Sequence, residues 1–315
     1  MYFPVAGIEV QPFIPPVAAF IISFFTSMGG VSGAFLILPF QVSVLGFNTP
    51  SVSATNQLFN IVAIPSGVYR YIKEGRMVWP ITWVVIIGTV PGVLIGVFLR
   101  IQYLPDPRIF KMFAGLVLLY IGGRLLKDLL IKKDGGKNKT SAEEQFQKLI
   151  KHYKSKQGHE KHLPKTVVKK FNLSRIVYEF YGEEFDISAL GIMTLSFIVG
   201  IIGGVYGIGG GAIIAPFFVS FFRLPVYTVA GAALMGTFVT SVTGVLFFQL
   251  IAPFYPDMAV APDWALGILF GTGGFAGMYC GARMQKHVPS QIIKWILAGC
   301  ILFPASKYII GFFTG

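Results

Sequence analysis

Eight long apolar segments are the feature that most constrains what this chain can fold into. They occupy residues 12–46, 50–69, 79–101, 109–130, 187–222, 225–252, 263–284 and 289–313. About 20 apolar residues in a helix cross a hydrocarbon core of roughly 30 Å. The chain is 54% hydrophobic and 13% charged, with a mean hydropathy of +0.68, whereas a soluble domain is about a quarter charged. We therefore predict an all-α integral membrane protein, placed in the cell (inner) membrane.

Two of the segments are too long for one crossing. As continuous helices, residues 12–46 and 187–222 would each extend over about 50 Å. Both contain glycines near their middle, followed by a proline. We predict that each is a broken or re-entrant pair of half-helices, and that the segments 79–101, 109–130, 263–284 and 289–313 cross once each.

A charged segment separates two apolar halves. Of the 26 Lys and Arg residues, 15 lie between Arg124 and Arg175, so the net charge of +12 belongs mainly to this segment. The chain divides into a first transmembrane repeat (1–130), a basic linker (131–186) and a second transmembrane repeat (187–315). The positive-inside rule places the linker in the cytoplasm. A solvated tether accounts for its charges better than a nucleic-acid-binding or lipid-binding module does. A short helix is expected from about Ala142.

The two apolar halves resemble each other in sequence. Residues 33–40 align with 210–217, and the Gly92–Gly96 stretch aligns with Gly277–Gly281 in the same order. We infer a duplication into two homologous four-segment repeats. The repeats are parallel if the over-long segments cross the membrane and inverted if those segments turn back. Inversion is favoured, since it places the acidic loop at 257–263 outside and Arg283 inside.

The densest glycine run covers residues 203–216, and a weaker copy covers 29–39. Each glycine costs a helix about 1 kcal/mol relative to alanine. An unwound turn at membrane depth is tolerated only where protein or a wet cavity satisfies the backbone. A half-helix that restarts at Gly33 or Gly210 presents free N–H groups and a positive dipole end, which suit an anion. The alternative is that the glycines only allow close helix packing.

Polar residues inside apolar segments complete the candidate site. Asn56 and Asn60 lie four apart on one helix face, and Thr237 and Ser241 share another. The asparagines could instead bond a neighbouring helix, and the hydroxyls could bond their own helix. The candidate substrate-binding residues are Ser32, Gly33, Ala34, Asn56, Asn60, Gly209, Gly210, Gly211, Thr237 and Ser241. Arg100 and Arg283, at matching helix ends, are candidate vestibule residues, with snorkelling to the interface as the alternative.

The run GIGGGAIIAPFF at 207–218 and its copy GAFLILPF at 33–40, within two four-segment units, resemble the sulfite exporter TauE/SafE family of membrane proteins. The resemblance covers both apolar halves. It implies transport of a small sulfur-containing oxyanion or an organosulfonate, such as sulfite.

The function expected from the sequence is a secondary carrier or facilitator that works by alternating access around the two glycine-rich breaks. The alternatives are an anion channel, or a membrane receptor or scaffold that acts through the linker.

The sequence contains no nucleophile–base pair, metal cluster or phosphate loop, so we expect no enzyme, catalytic residue, metal or cofactor. No Asp, Glu or His lies near the middle of a predicted span. Coupling would therefore use substrate protonation, the membrane potential or sodium on backbone carbonyls. The partners expected are the anion and the bilayer, and the sequence indicates no oligomeric state.

Overall fold

The computed structural model describes residues 1–28, 32–73, 77–131, 167–172, 174–180, 183–211, 213–214, 217–218, 222, 224, 226–284 and 290–314. The helices are α1 (Ile14–Met28), α2 (Ala34–Ser43), α3 (Ser51–Ala63), α4 (Pro65–Lys73), α5 (Trp79–Gln102), α6 (Pro107–Ile131), α7 (Ala189–Tyr206), α8 (Val226–Ile251), α9 (Trp264–Met284) and α10 (Ser290–Thr314). The strands are β1 (Tyr2–Phe3), β2 (Ile8–Glu9), β3 (Val167–Phe171), β4 (Arg175–Phe180) and β5 (Glu183–Ser188).

Five of the described helices are long and apolar enough to cross a membrane, namely α5, α6, α7, α8 and α10. The helices α1 and α2 are apolar but shorter. The helix α9 has 21 residues. The fold is that of a mostly helical, multi-pass membrane protein, and the expected single crossing by α9 stays a prediction.

Both over-long segments are interrupted where the glycines predict a break. The helix α1 ends at Met28 and α2 begins at Ala34. With 15 and 10 residues, they are about 22 and 15 Å long, so neither spans the hydrocarbon core alone. In the second half, α7 ends at Tyr206 and helical structure resumes at residue 211. Between them Gly207 and Gly209 have φ of +84° and +71°, a backbone region that favours glycine.

Close helix pairs join the two halves. The helix α5 lies along α7, and α9 lies along α1. A Cβ atom added to Gly92 of α5 would lie 2.9 Å from the backbone nitrogen of Ile201. One added to Gly277 of α9 would lie 2.9 Å from the Cα atom of Phe20. The glycines at four-residue spacing in α5 and α9 therefore let two helix backbones touch.

The direction of each pair follows from its contacts. Along α5, Gly88 contacts Met193 and Gly96 contacts Gly204, so α5 and α7 run parallel. Along α9, residues 273, 277 and 281 contact residues 16, 20 and 24 of α1 in that order, so these helices are parallel too. By contrast α6 and α10 are antiparallel, because residue 115 contacts residue 308 and residue 122 contacts residue 302.

Several connections meet at one end of the bundle, which we call the Asp263 end. The backbone N–H of Ala6 donates to Oδ2 of Asp263 at 3.2 Å. The backbone N–H of Asp263 donates to Oγ1 of Thr55 at 2.9 Å. The hydroxyl of Tyr255 contacts Oε1 of Gln102 at 3.3 Å. The starts of α1, α3 and α9 and the ends of α5 and α8 therefore lie at this end.

Part of the predicted linker forms an antiparallel sheet in the order β3-β4-β5. Nζ of Lys169 lies 2.8 Å from carboxylate oxygens of both Glu179 and Glu184. The hydrogen bonds to Glu179 and then Glu184 raise the pKa of Lys169 above its usual range. The strands were not expected from the sequence, because their cross-strand ion pairs become visible only once the strands are in register. The short helix expected from about Ala142 lies outside the described residues.

Candidate functional site

The two helix breaks meet on one face of α3. Nδ2 of Asn56 donates hydrogen bonds to the backbone oxygens of Ala34 and Gly207, each at 3.0 Å. Ala34 opens α2 after the first break, and Gly207 lies in the second break. Both amide hydrogens of Asn56 are therefore used to hold one break beside the other.

Asn60, one turn further along α3, also contacts both breaks. Its Oδ1 accepts a hydrogen bond from Oγ of Ser32 at 2.9 Å. Its Nδ2 donates to the backbone oxygen of Ile208 at 2.9 Å. Ser32 in turn accepts from the backbone N–H of Ala34 at 3.3 Å, at the start of α2. The two asparagines and Ser32 form one buried polar network.

Two further polar side chains beside the breaks were missed from the sequence. Nε2 of Gln41 donates to Oδ1 of Asn56 at 3.4 Å, and the hydroxyl of Tyr206 donates to the backbone oxygen of Phe35 at 2.9 Å. Gln41 was detectable as a polar residue inside the apolar segment 12–46. Tyr206 was detectable as the one aromatic residue within the glycine run 203–211.

The second break also packs against α8. A Cβ atom added to Gly209 would lie 3.0 Å from Oγ of Ser241 and 3.0 Å from Cγ2 of Thr237. The backbone N–H of Gly210 donates to Oγ1 of Thr240 at 3.3 Å. Thr237 donates to the backbone oxygen of Ala233 at 2.9 Å, so this hydroxyl bonds its own helix. Oγ of Ser241 is buried and has no hydrogen-bond partner among the described residues.

The candidate substrate-binding residues come together as one buried zone around the two breaks. Gly211 packs against Thr237 and Gly33 packs against Ser23 of α1, and all the remaining candidates belong to the contacts described above. In this conformation the asparagine amides bond the backbone of the breaks. Direct contact of these residues with a substrate stays a prediction.

The two candidate vestibule arginines differ in their surroundings. Arg100 is fully buried at the end of α5, where Nε donates to Oγ of Ser53 at 3.2 Å and Nη2 donates to the backbone oxygen of Thr49 at 3.4 Å. Nη1 bonds the backbone oxygen of Leu104, and the guanidinium lies 3.7 Å from the centroid of the Phe110 ring.

Arg100 therefore neither extends into a vestibule nor snorkels to the interface, in contrast to both expectations. Neutral oxygens and an aromatic face hold its charge inside the protein. Among the described residues no carboxylate forms an ion pair with it. Arg283 is exposed and lies 5.2 Å from the centroid of the Tyr279 ring, a position that fits either interpretation.

No group of three or more His, Cys, Asp or Glu residues that could hold a metal ion occurs within the described part of the chain.

Long apolar helices combined with two broken helices that meet at a polar network define the class of the protein, a multi-pass membrane transporter. The chain belongs to the sulfite exporter TauE/SafE family, whose sequence profile matches residues 16–308. It is a transporter and not an enzyme.

Two bacterial relatives support this membership. The chain is 21% identical over 281 residues to the probable membrane transporter protein YunE of Bacillus subtilis (strain 168), which covers 86% of this chain and 87% of YunE. It is 25% identical over 122 residues to the probable membrane transporter protein YdhB of the same organism, which covers 39% of this chain and 46% of YdhB. This second match thus spans less than half of the relative. No solved structure matches the chain.

Proposed function

We propose that this protein carries a small sulfur-containing oxyanion or an organosulfonate, such as sulfite, across the membrane by alternating access around its two helix breaks. One observation supports this most directly: Asn56 and Asn60 each bond both breaks. A side chain that bonds two broken helices can exchange one partner for a substrate and so couple binding to their movement.

The chemistry of the zone suits an anion. The candidate residues offer hydroxyl, amide and backbone N–H donors, and none of them carries a carboxylate. The backbone N–H groups of Ala34 and Gly210 lie where helical structure restarts, at the positive end of the helix dipole. In this conformation they donate to the hydroxyls of Ser32 and Thr240, which an anion would have to replace. Neutral donors bind an oxyanion without holding it as tightly as a fixed positive charge would, which favours release.

The contacts at the two ends of the bundle support inverted repeats. The helices α1 and α3 both begin at the Asp263 end, so the first broken segment returns to the side from which it enters. The helices α5 and α8 both end there, and α7 runs parallel to α5, so α7 and α8 begin at the opposite end. The second broken segment therefore enters from that opposite end and returns to it.

The order of the helices also supports an orientation in the membrane. The helix α6 follows α5 and runs away from the Asp263 end, so the linker 131–186 leaves the bundle at the other end. Its Lys-rich composition favours a cytoplasmic location, with the Asp263 end outside the cell membrane. The chain then consists of the repeats 1–130 and 187–315 on either side of a cytoplasmic linker.

Flux from purified protein in liposomes tests the proposal, with sulfite, thiosulfate, sulfate, sulfoacetate and chloride as substrates. We expect saturable flux of at least one sulfur-containing anion, stimulated by the same anion on the opposite side. Unsaturable flux without such stimulation would indicate a channel, and no flux of any anion would reject the transport of these substrates.

Deletion of residues 135–165 tests the receptor or scaffold alternative, since unchanged flux would show that the linker has no essential role in transport.

A further inference from the structure

Two buried polar side chains between α3 and α8 have no hydrogen-bond partner among the described residues. Neither Nε2 nor Oε1 of Gln57 has one, although the side chain is completely buried. Oγ of Ser241 is in the same state. Such atoms are rare inside proteins because leaving them unpaired is costly, so buried polar atoms of this kind are suited to bind a polar molecule.

The two side chains lie on neighbouring turns of α3 and α8, beside the second helix break. Asn60 bonds Ile208, and the next residue, Gly209, packs against Ser241. One turn beyond Ser241 on α8, Gly244 packs against the amide of Gln57. Gln57 in turn precedes Asn60 by one turn on α3. These contacts connect Gln57 to Ser241 through neighbouring turns of α3, the second break and α8.

The absence of a side chain at Gly244 makes room for this amide. The atom nearest to a Cβ at that position would be Oε1 of Gln57, followed by Cδ at 2.6 Å and Nε2 at 2.8 Å. The amide therefore packs directly against the backbone of α8 at Gly244, and α8 is also the helix that carries Ser241.

We propose that Gln57 and Ser241 bind the transported anion in its singly protonated form. This inference rests on the proposed function. Oγ of Ser241 and Nε2 of Gln57 donate hydrogen bonds to the oxygens of the anion, and Oε1 of Gln57 accepts one from the O–H group of the anion. A hydrogen sulfite ion satisfies all three groups. A dianion or an organosulfonate has no such proton and leaves Oε1 unpaired.

This arrangement favours an inorganic oxyanion that bears a proton over an organosulfonate. It also allows a proton to cross the membrane on the substrate itself. The sequence has no Asp or Glu between Asp186 and Asp257, the stretch that contains the second break and α8. A proton that crosses with the substrate needs no side chain in that stretch to carry it.

Competition experiments in liposomes test the inference, with flux of labelled sulfite as the signal and methanesulfonate as the competitor. In the wild-type protein the rate follows the concentration of the singly protonated anion as pH is varied, and methanesulfonate competes at least about tenfold more weakly than hydrogen sulfite, the effect of one buried hydrogen bond. Gln57→Leu removes this preference, so the ratio of the two inhibition constants falls towards one. Gly244→Ala, which displaces the same amide without changing it, has the same effect.

Matched controls separate this role from a structural one. Gln249→Leu changes an exposed glutamine on α8, the helix that carries Ser241 and Gly244. Gly299→Ala adds a methyl group where no atom lies within 4 Å. Both controls keep the wild-type ratio. A rate that follows the dianion, or an unchanged ratio in Gln57→Leu and Gly244→Ala, overturns the inference and leaves only a bound water at Gln57. Absence of any sulfite flux in the wild-type protein instead rejects sulfite as the substrate.

Discussion

The side-chain amide of Asn56 donates a hydrogen bond of 3.0 Å to the backbone oxygen of Gly207, which lies 151 positions further along the chain. The same amide bonds the first break as well. A broken helix exposes backbone groups that a bilayer cannot satisfy. In this protein one asparagine satisfies such groups from both halves, which makes α3 the element that joins the two breaks.

Replacement of this amide by a carboxylate is expected to destabilise the protein. In Asn56→Asp both donors are lost, and the backbone oxygens of Ala34 and Gly207 face another acceptor. We expect a loss of about 2–4 kcal/mol in the free energy of unfolding, measured by thermal unfolding in detergent. Asn60→Asp removes a single donated bond to the backbone and should cost about half as much. Equal unfolding temperatures for both variants and the wild-type protein would contradict the bridging role.

Arg100 and Arg283 provide a matched pair, since each lies near the end of its helix. Arg100→Met leaves Ser53 and two backbone oxygens without their donor inside the protein, and we expect a destabilisation of about 2–4 kcal/mol. Arg283→Met should change stability by no more than about 0.5 kcal/mol, because its side chain is exposed. Chemical denaturation of both variants measures the difference. Similar effects for the two would mean that burial of Arg100 does not contribute to stability.

The glycines of α5 and α9 are expected to tolerate no side chain. Gly92→Ala or Gly277→Ala forces two touching backbones apart and should cost about 1–3 kcal/mol in thermal unfolding. Gly299→Ala on α10 adds its methyl group in open space and should stabilise the helix by up to about 1 kcal/mol. If all three substitutions were neutral, the helix pairs would not be packed as closely as the contacts indicate.

Substitutions at Gly209 and Gly7 distinguish the cost of backbone strain from the effect of a new side chain that contacts the candidate site. Gly209→Ala places an L-residue at φ +71°, which costs about 1–2 kcal/mol, and sets its Cβ atom 3.0 Å from Oγ of Ser241. Gly7→Ala imposes similar strain at φ +67° with no atom within 4 Å. We expect both variants to lose similar stability, and only Gly209→Ala to raise the KM for the transported anion. A normal KM in Gly209→Ala would remove this break from the substrate site.

The sequence identified polar residues inside the apolar segments but not the partners that they bond. Asn56 and Asn60 were identified because polar residues are rare in apolar segments, but substrate contact and interhelical bonding could not be separated by that pattern. Their bonds to both breaks depend on residues that are 22 to 151 positions away. Gln41 and Tyr206 were missed for the same reason, because a lone polar side chain in an apolar segment has no defined role until its neighbour is known.

By itself, the sequence determined the membrane class, the family and the positions of both helix breaks. Those properties depend on the length of apolar segments and the density of glycines, which are local along the chain. The tertiary structure alone decided that α3 bonds both breaks, that Arg100 is buried among neutral oxygens and that the amide of Gln57 has no partner among the described residues. Each of these depends on which distant residues come into contact, and spacing along the chain does not encode such contacts directly.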